Sequence, residues 1–284
     1  MVNPQLANRI REIVNPDKIV NTADNSASFI VASLTRVQNT LVLPPFAHFS
    51  PPVRSYLYWR LLDVHRLERL QQCGAINSLP NSETVDVNRH TEIITVRGNA
   101  DATYTALLPM NVMGDGNCCL HSCSVAMWGV HDRTTFGQTG TVRSSLHRLM
   151  TQQADLWFRR WQVQEQKFDE EDARAMGSEG QIERSKEEWE KEFKDILERS
   201  GQDKAFLVQI HIYVLAHVLR RPIIVYADAV QEYSPCRMRG IYLPLEWRGT
   251  GIPWETAPLL LAYDGSHFVP LIYHLKKVAS VVRV

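Results

Sequence analysis

The 284-residue sequence lacks an excess of charge of either sign, because Lys plus Arg and Asp plus Glu each total 31. No net field therefore favours a nucleic acid or an anionic membrane as a partner. It also lacks a membrane-spanning run of roughly 18 apolar residues, since 210–225, its most apolar stretch, contains His211, His217 and an Arg-Arg-Pro triplet. Residues 1–14 carry Arg9 and Arg11 rather than the apolar core of a secretory signal. We expect a monomeric cytoplasmic protein, with the nucleus as a second compartment.

Cysteine is scarce, and its spacing excludes the common structural uses of this residue. The five cysteines form an odd set at positions 73, 118, 119, 123 and 236, and three of them fall within six residues. Such crowding is unsuited to a disulfide framework and indicates a reducing compartment. The chain has no Cys-x-x-Cys pair with a matching distant pair of ligands, so we predict neither a metal nor another cofactor.

The remaining composition is that of a globular protein, with 44% apolar residues to form a core. Helical patterns dominate the first part of the chain and short β-rich runs the last, which predicts an α+β fold with a central sheet flanked by helices. We divide the chain into a helical extension, 1–44, and a main domain, 45–284. The predicted helices are Gln5 to Val14, Ser26 to Gln38, Val53 to Gln72, Cys118 to Gly129, Thr141 to Lys167, Ile182 to Glu198 and Ala205 to Leu219. The predicted strands are Thr91 to Arg97, Thr103 to Leu108, Ile223 to Tyr226, Gly240 to Leu245, Leu259 to Tyr263, His267 to Tyr273 and Val278 to Val284. Asp169 to Gly180, acidic and glycine-containing, is expected to form a surface loop.

Cys118 follows Gly114-Asp115-Gly116-Asn117, a turn that ends where a helix is predicted to begin. A cysteine at a helix N-terminus is expected to have a depressed pKa and to act as a thiolate nucleophile. The two glycines allow the loop to turn its amides toward one point. The backbone N–H groups of Asp115, Gly116, Asn117 and Cys118 are therefore candidate oxyanion-hole donors.

His267 is the candidate general base, because it lies between the turn Asp264-Gly265-Ser266 and a predicted strand. A rigid strand can hold an imidazole in a fixed orientation. With ten histidines in the chain, the pattern alone does not select this pair.

The residues around these two positions resemble the ovarian-tumour (OTU) family of deubiquitinases, in its Cezanne and Trabid branch. Gly114 to Ser122, Gly-Asp-Gly-Asn-Cys-Cys-Leu-His-Ser, is similar to the family's cysteine box. Further similar blocks follow in the same order: Ala126 to Gly129, Ile210 to Val225, Gly240 to Leu245 and Tyr263 to Leu271.

The resemblance implies a papain-like OTU fold and a Cys-His-Asp thiol protease that hydrolyses the isopeptide bond at the ubiquitin C-terminus. It places Cys118 as nucleophile and His267 as base. Many members carry the orienting residue two positions after the histidine, where this chain has Val269. The branch instead uses an acid on an upstream helix, which corresponds to Asp63. Asp264 and Asp228 are weaker candidates, because aspartates at turns and strand ends usually bond to the nearby backbone.

Other residues of these blocks allow less definite roles. Gly240, Ile241, Tyr242, Ser266 and Phe268 are candidate contacts for an extended ubiquitin tail. His121 is expected to pack or cap rather than act as a base, and Trp128 to belong to the core. Cys119 places a second thiol beside the nucleophile, which leaves oxidative side reactions open. The insertion around Phe136 to Gly140 departs from the branch.

Three other functions fit the same residues. The chain could cleave another ubiquitin-like modifier, bind ubiquitin or polyubiquitin as a silent scaffold, or act as a general peptidase. A silent scaffold would typically lack a triad residue, whereas this sequence has the cysteine, the histidine and an acid.

Overall fold

A computed structural model describes residues 41–43, 49–63, 104–132, 141–175, 184–227 and 237–275. Several predictions lie outside these ranges: the helices before residue 40, the strands Thr91 to Arg97 and Val278 to Val284, the Phe136 to Gly140 insertion, and Asp228. The division into 1–44 and 45–284 stays a prediction. In the described part of the chain, no helix combines the length and the apolarity needed to cross a membrane.

The described residues form helices and strands in an α+β arrangement, as predicted. The helices are α1 (Pro51–Leu61), α2 (Cys118–Trp128), α3 (Thr141–Gln152), α4 (Ala154–Ala175), α5 (Lys186–Gly201) and α6 (Gln209–Leu219), with a 3₁₀ turn at Leu245–Trp247. The strands are β1 (Val42–Leu43), β2 (Tyr104–Pro109), β3 (Ile223–Ala227), β4 (Gly240–Tyr242), β5 (Leu259–Tyr263) and β6 (Phe268–Leu275).

The chain forms two compact units, and one of them contains the sheet. Its described segments are 41–43, 49–63, 104–131, 222–227, 237–241 and 256–275. The strand order is β1-β6-β5-β3-β4, with β2 also paired to β6. Strand β6 is parallel to β1 and antiparallel to β2 and β5, while β5 is parallel to β3. This mixed sheet holds the start of β6 in a fixed position.

Helix α2 packs on β5 and β6 and is buried along almost its whole length. It begins after the glycine-rich turn, as the sequence predicts. It ends at Gly129, whose φ of 70° is the left-handed conformation of a helix C-cap, and the Gly129 N–H bonds to the Val125 carbonyl. Both ends of the predicted helix are therefore confirmed.

The second unit contains α3 to α6 and the 3₁₀ turn. The buried Arg143 of α3 donates to the carbonyls of Arg199 and Ala205, both at 2.9 Å. It thereby supplies hydrogen-bond donors to carbonyl groups at and just after the end of α5. Aromatic side chains fill the space between α4 and α5, where Phe158 and Trp161 contact Trp189 and Phe193. This packing explains why the tryptophan-rich segment forms long helices.

Several predicted boundaries are wrong. Strand β4 ends at Tyr242 rather than Leu245, and helix α6 begins at Gln209 rather than Ala205. The helix predicted to run from Val53 to Gln72 ends at Leu61, because Leu62 pairs with Met110 as an isolated bridge. The predicted helix Thr141 to Lys167 is two helices that separate at Gln153. The part of the Asp169 to Gly180 loop that is described, 169–175, is helical, because Asp169 and Ala173 are buried and the former pairs with Arg184.

Candidate active site

Cys118 is the first residue of α2 and is only 5% exposed. The backbone N–H of Phe268 hydrogen-bonds to its thiol, and the nearby N–H groups of Cys119 and Cys118 also favour the thiolate. Phe268 directly follows His267 in the chain. The start of α2 and the start of β6 therefore meet at the thiol, which brings the predicted nucleophile beside the predicted base.

The expected depressed pKa of Cys118 is wrong for the structure without substrate. Burial raises the pKa of the thiol, and the thiol of Cys119 adds to this effect. The three backbone N–H groups favour the thiolate but do not outweigh burial. Formation of the thiolate therefore requires a neighbouring base.

His267 is buried, and a tight turn fixes its backbone. The Oδ1 atom of Asp264 accepts from the N–H groups of Ser266 at 3.0 Å and of His267 at 2.9 Å. The Asp264 N–H in turn donates to the His267 carbonyl at 3.3 Å. The Asp264 side chain thus accepts hydrogen bonds from the backbone of its own turn, as the sequence predicts for a turn aspartate.

The loop before Cys118 passes the His267 imidazole at Gly114. A methyl group at Gly114 would lie 3.6 Å from Cε1 and 3.7 Å from Nδ1 of His267. The Nδ1–Cε1 edge of the ring therefore faces residues 113–117, which we call the cysteine loop. Of the two ring nitrogens, Nδ1 is therefore the one nearer to the loop that precedes the nucleophile, and Nε2 lies farther from it.

The cysteine loop is held by side chains of its own unit. The Asp115 carboxylate accepts from the Asn117 N–H at 3.0 Å and lies 3.1 and 3.3 Å from His121 Nε2. Burial would raise the pKa of Asp115, but the Asn117 N–H and His121 outweigh it, and the pKa is lowered. The Met113 N–H donates to His131 Nε2 at 3.3 Å.

These bonds correct one predicted donor, add a contact to the expected role of His121, and reveal His131, which sequence reasoning missed. The Asn117 N–H is directed to Asp115, so it is not available to an oxyanion while this turn is intact. His121 does pack in the core, as expected, yet it also binds Asp115. No signal in the sequence identifies His131, because its role depends on the return of the chain after α2.

Asp63 does not lie on a helix, contrary to the prediction. Its N–H donates to the Pro109 carbonyl at 3.1 Å, and Pro109 pairs with Leu271 of β6. Residues two apart along a strand share a face, so Asp63 is on the face of Leu271, Val269 and His267. However, the register sets Asp63 level with Leu271, four residues beyond His267. The sheet pairing alone does not bring the carboxylate to the imidazole.

The predicted tail contacts differ in exposure. Ile241 is 67% exposed on β4, whereas Tyr242 and Phe268 are buried. Gly240 is partly exposed, and Ser266 is exposed in the turn that Asp264 holds. Only Gly240, Ile241 and Ser266 offer an accessible side chain or backbone, while Phe268 contributes its N–H to Cys118.

Cys118, Cys119 and Cys123 are buried and form no disulfide bond. Cys73 and Cys236 lie outside the described residues. Within the described ranges, no group of three or more His, Cys, Asp or Glu side chains is placed to hold a metal ion.

Comparison with known proteins identifies the segment that carries this geometry. A family model described as OTU-like cysteine protease matches residues 113–268, which run from the cysteine loop to the start of β6. Over 183 residues the chain is 32% identical to human Tumor necrosis factor alpha-induced protein 3, and over 182 residues it is 31% identical to the mouse protein. Each match covers 58% of this chain and 22% of the relative, so the chain spans about a fifth of the length of these curated relatives.

Solved structures of similar proteins include the OTU domain of OTUD1 and the viral OTU domain protease from Dera Ghazi Khan virus. Each is 13% identical to this chain with a TM-score of 0.34. The first match covers 58% of this chain and 85% of the other, and the second 59% and 81%. The Cezanne and Trabid branch stays a prediction.

Proposed function

The chain belongs to the OTU-like cysteine protease family, and from that premise we propose that it is a deubiquitinase, a hydrolase of the isopeptide bond at the ubiquitin C-terminus. The observation that carries this proposal is the hydrogen bond from the Phe268 N–H to the Cys118 thiol. It sets the thiol next to the peptide that joins His267 to β6. A cysteine and a histidine in this arrangement can perform acyl transfer.

In the proposed reaction, His267 accepts the Cys118 proton as the sulfur attacks the carbonyl carbon of the isopeptide bond. The carbon–nitrogen bond then breaks, the protonated His267 gives its proton to the departing lysine amine, and a thioester forms. Water next loses a proton to His267 and attacks the thioester carbon. The Cys118 sulfur leaves and recovers that proton, which releases the ubiquitin carboxylate and restores the enzyme.

The tetrahedral intermediates carry a negative oxygen that backbone N–H groups can stabilise. We assign this role to the amides of Asp115, Gly116 and Cys118. Loop conformation supports the assignment, since Gly116 has a φ of 88° and the α2 N-terminus directs its first amides toward the thiol. Asn117 contributes by closing the turn onto Asp115 rather than as a donor.

We assign the orienting role to Asp63. The resemblance supports this assignment, because Val269 stands at the alternative position and cannot orient an imidazole. The shared face of Asp63 and His267 is compatible with it. Since the sheet register sets Asp63 level with Leu271, the role requires its carboxylate to extend along β6 toward His267 Nε2.

The ubiquitin tail is proposed to lie extended beside β4, where Gly240 and Ile241 are accessible, and near Ser266. Among the described strands β4 is last in the strand order, so the edge of β4 away from β3 is the proposed place for an extended peptide to pair. We further propose a monomer that acts in the reducing cytoplasm, or in the nucleus, on ubiquitin or polyubiquitin rather than nucleic acid or membrane.

The test is reaction of the protein with ubiquitin that carries a thiol-reactive C-terminal group, beside the same group on ubiquitin-like proteins. An adduct with ubiquitin, and hydrolysis of isopeptide-linked di-ubiquitin, are expected. Faster reaction with another modifier would reassign the substrate. Cleavage of unstructured peptides at the same rate would indicate a general peptidase.

The matched controls are Cys118→Ala and Cys119→Ser, which change adjacent thiols at the start of α2. Loss of the adduct is expected for the first and retention for the second. If the unchanged protein binds ubiquitin but neither forms an adduct nor hydrolyses the chain, it is a silent scaffold and the proposed activity is wrong.

A further inference from the structure

Two imidazoles, one buried and one partly exposed, lie beneath the cysteine loop and take no part in the proposed reaction. His121 is 1% exposed, and its ring packs edge-on against that of His131, with centroids 5.1 Å apart. His121 Nε2 contacts the Asp115 carboxylate, and His131 Nε2 accepts from the Met113 N–H. The pair therefore supports the loop at two points.

The loop needs such support because the chain has already left the sheet. Sheet-type pairing reaches Asn111, whose N–H donates to the Leu61 carbonyl at 2.8 Å. Beyond it, Gly114 and Gly116 have no side chains to anchor the backbone. A backbone that contains two glycines samples many conformations unless other groups fix it.

Asp115 transmits the position of His121 to the backbone. Its Oδ1 atom accepts from the Asn117 N–H and also lies 3.1 Å from His121 Nε2. Because Asn117 immediately precedes the nucleophile, the bond fixes the residues whose amides surround the thiol. His121 sits one turn after Cys118 on α2, so one rigid helix carries both the nucleophile and the group that holds its loop.

We propose that His121 is a positioning residue which, packed on His131, holds Asp115 so that the amides of Asp115, Gly116 and Cys118 point at the scissile carbonyl. This inference rests on the proposed function. His121 contacts neither substrate nor thiol in this account. It acts through Asp115 alone.

The proposal predicts that variants of His121 lose activity only because the oxyanion is stabilised less well. Loss of an oxyanion-hole donor lowers kcat by about 10²- to 10³-fold, so loosening the loop should lower it by about 10- to 100-fold. KM for a ubiquitin substrate should stay nearly constant, because the surfaces that bind ubiquitin are unchanged.

Two matched substitutions of His121 test whether activity requires an N–H group at the position of Nε2 or only a polar side chain. In His121→Gln the side-chain nitrogen lies about as far along the chain as Nε2, and it can donate to Asp115. In His121→Asn the side-chain nitrogen occupies the place of Nδ1 and does not reach the Asp115 carboxylate. Asn should therefore show the full loss of kcat, while Gln should recover a large part of it.

Three measurements are made on each variant of the full chain: steady-state kinetics with a ubiquitin isopeptide substrate, alkylation of Cys118 by iodoacetamide, and amide hydrogen exchange of residues 113–117. Alkylation displaces iodide and forms no oxyanion, so its rate should change by no more than about threefold. Exchange in the loop should accelerate in His121→Asn and not in His121→Gln.

His147→Asn is the control for loss of an imidazole elsewhere. His147 Nδ1 bonds to Ser200 Oγ at 2.8 Å in the other unit, far in sequence from the loop. This variant should keep the kcat of the unchanged protein and its exchange at residues 113–117, whatever its melting temperature.

The inference is overturned if His121→Asn keeps both kcat and slow loop exchange, or if Gln and Asn lose kcat equally. A parallel fall in alkylation would also overturn it, since the thiol itself would then be disturbed. Failure of the proposed function has a different signature, because the unchanged protein would then leave the ubiquitin substrate intact. Loop exchange in the two variants would still decide the role of His121.

Discussion

The N–H of Phe268 donates to the thiol of Cys118, and this bond joins the first residue of α2 to the first residue of β6. The proposed nucleophile is thereby tied to the residue that follows the proposed base. The same contact favours the thiolate, although burial of the thiol has the larger effect and raises its pKa. In the proposed reaction, His267 takes the proton of this thiol.

Gly116→Ala should impair activity more than it impairs folding. Gly116 has a φ of 88°, which an alanine adopts at a cost of about 1–2 kcal/mol. The strain falls within the loop that supplies the oxyanion amides, so kcat should drop by about 10- to 1,000-fold. Urea unfolding and steady-state kinetics measure the two effects separately.

Gly249→Ala is the matched control for this substitution. Gly249 has a φ of 77°, and a Cβ there would meet nothing within 4 Å. A similar loss of stability without a change in kcat is expected. If both variants lose activity to the same degree, backbone strain acts globally, and the loop does not have the role assigned to it.

Asp63→Asn tests the orienting carboxylate without changing the size of the side chain. Loss of the triad acid lowers kcat by up to about 10⁴-fold in the serine proteases. A smaller fall of about 10- to 1,000-fold is expected here, because a thiol depends less on its base. The pH profile of kcat/KM should shift, since the carboxylate stabilises the protonated imidazole. Unchanged kcat and an unchanged profile would remove Asp63 from the reaction.

Two buried histidines of the helical unit should make the fold acid-sensitive. Burial lowers the pKa of His211 and of His217 from 6.5 to about 4. Between these values the unfolded chain binds more protons, so stability is complete above pH 6.5 and falls as the pH decreases toward 4. The difference between a pKa of 6.5 and one of about 4 corresponds to at most about 3 to 4 kcal/mol for each imidazole. Urea unfolding from pH 7.5 to 4.5 measures this slope.

His211→Gln should reduce the pH slope, because glutamine does not titrate. The variant loses stability at neutral pH, since His211 accepts from the Val208 N–H and bonds to the Ile196 carbonyl. Its free energy of unfolding should nevertheless change less between pH 7 and pH 5. An unaltered slope would mean that another group causes the acid sensitivity.

Arg184→Lys should destabilise the packing of α4 on α5. The Arg184 guanidinium bonds to Asp169 at 2.7 Å and Glu192 at 2.9 Å, and it lies 4.6 Å from the Trp189 ring centroid. Lysine keeps the charge but not the planar fork. A loss of about 1–2 kcal/mol in the free energy of unfolding is expected.

Arg174→Lys is the comparison, because Arg174 pairs with Glu170 on the exposed surface of α4. Exposed pairs of this kind contribute at most about 0.5 kcal/mol. Equal effects of the two substitutions on the melting temperature would contradict the account of Arg184.

Local signals predicted the parts of the site that depend on neighbouring residues. The glycine and Asx residues before Cys118 indicated the start of α2, and Gly129 indicated its end, because helix ends have strong chemical preferences. Asp264 could be recognised as a turn aspartate for the same reason. Each of these features requires only a few consecutive residues.

Features that depend on tertiary contacts were not predictable. The helical period continued past Leu61, yet the bridge between Leu62 and Met110 ends α1 there. The position of Cys118 at a helix N-terminus favoured a depressed pKa, whereas burial of its thiol raises the pKa instead. The contacts of His131 depend on the path of the chain after Gly129, which no local pattern specifies.

The central claim is that Cys118 attacks the ubiquitin C-terminus, and the most direct measurement is the site of the covalent bond. The protein is reacted with ubiquitin bearing a thiol-reactive C-terminal group, digested, and mapped by mass spectrometry, with Cys119→Ser as the second sample. The account predicts a single adduct on Cys118 in both samples. An adduct on Cys119 that disappears in Cys119→Ser, or no adduct at all, would contradict it.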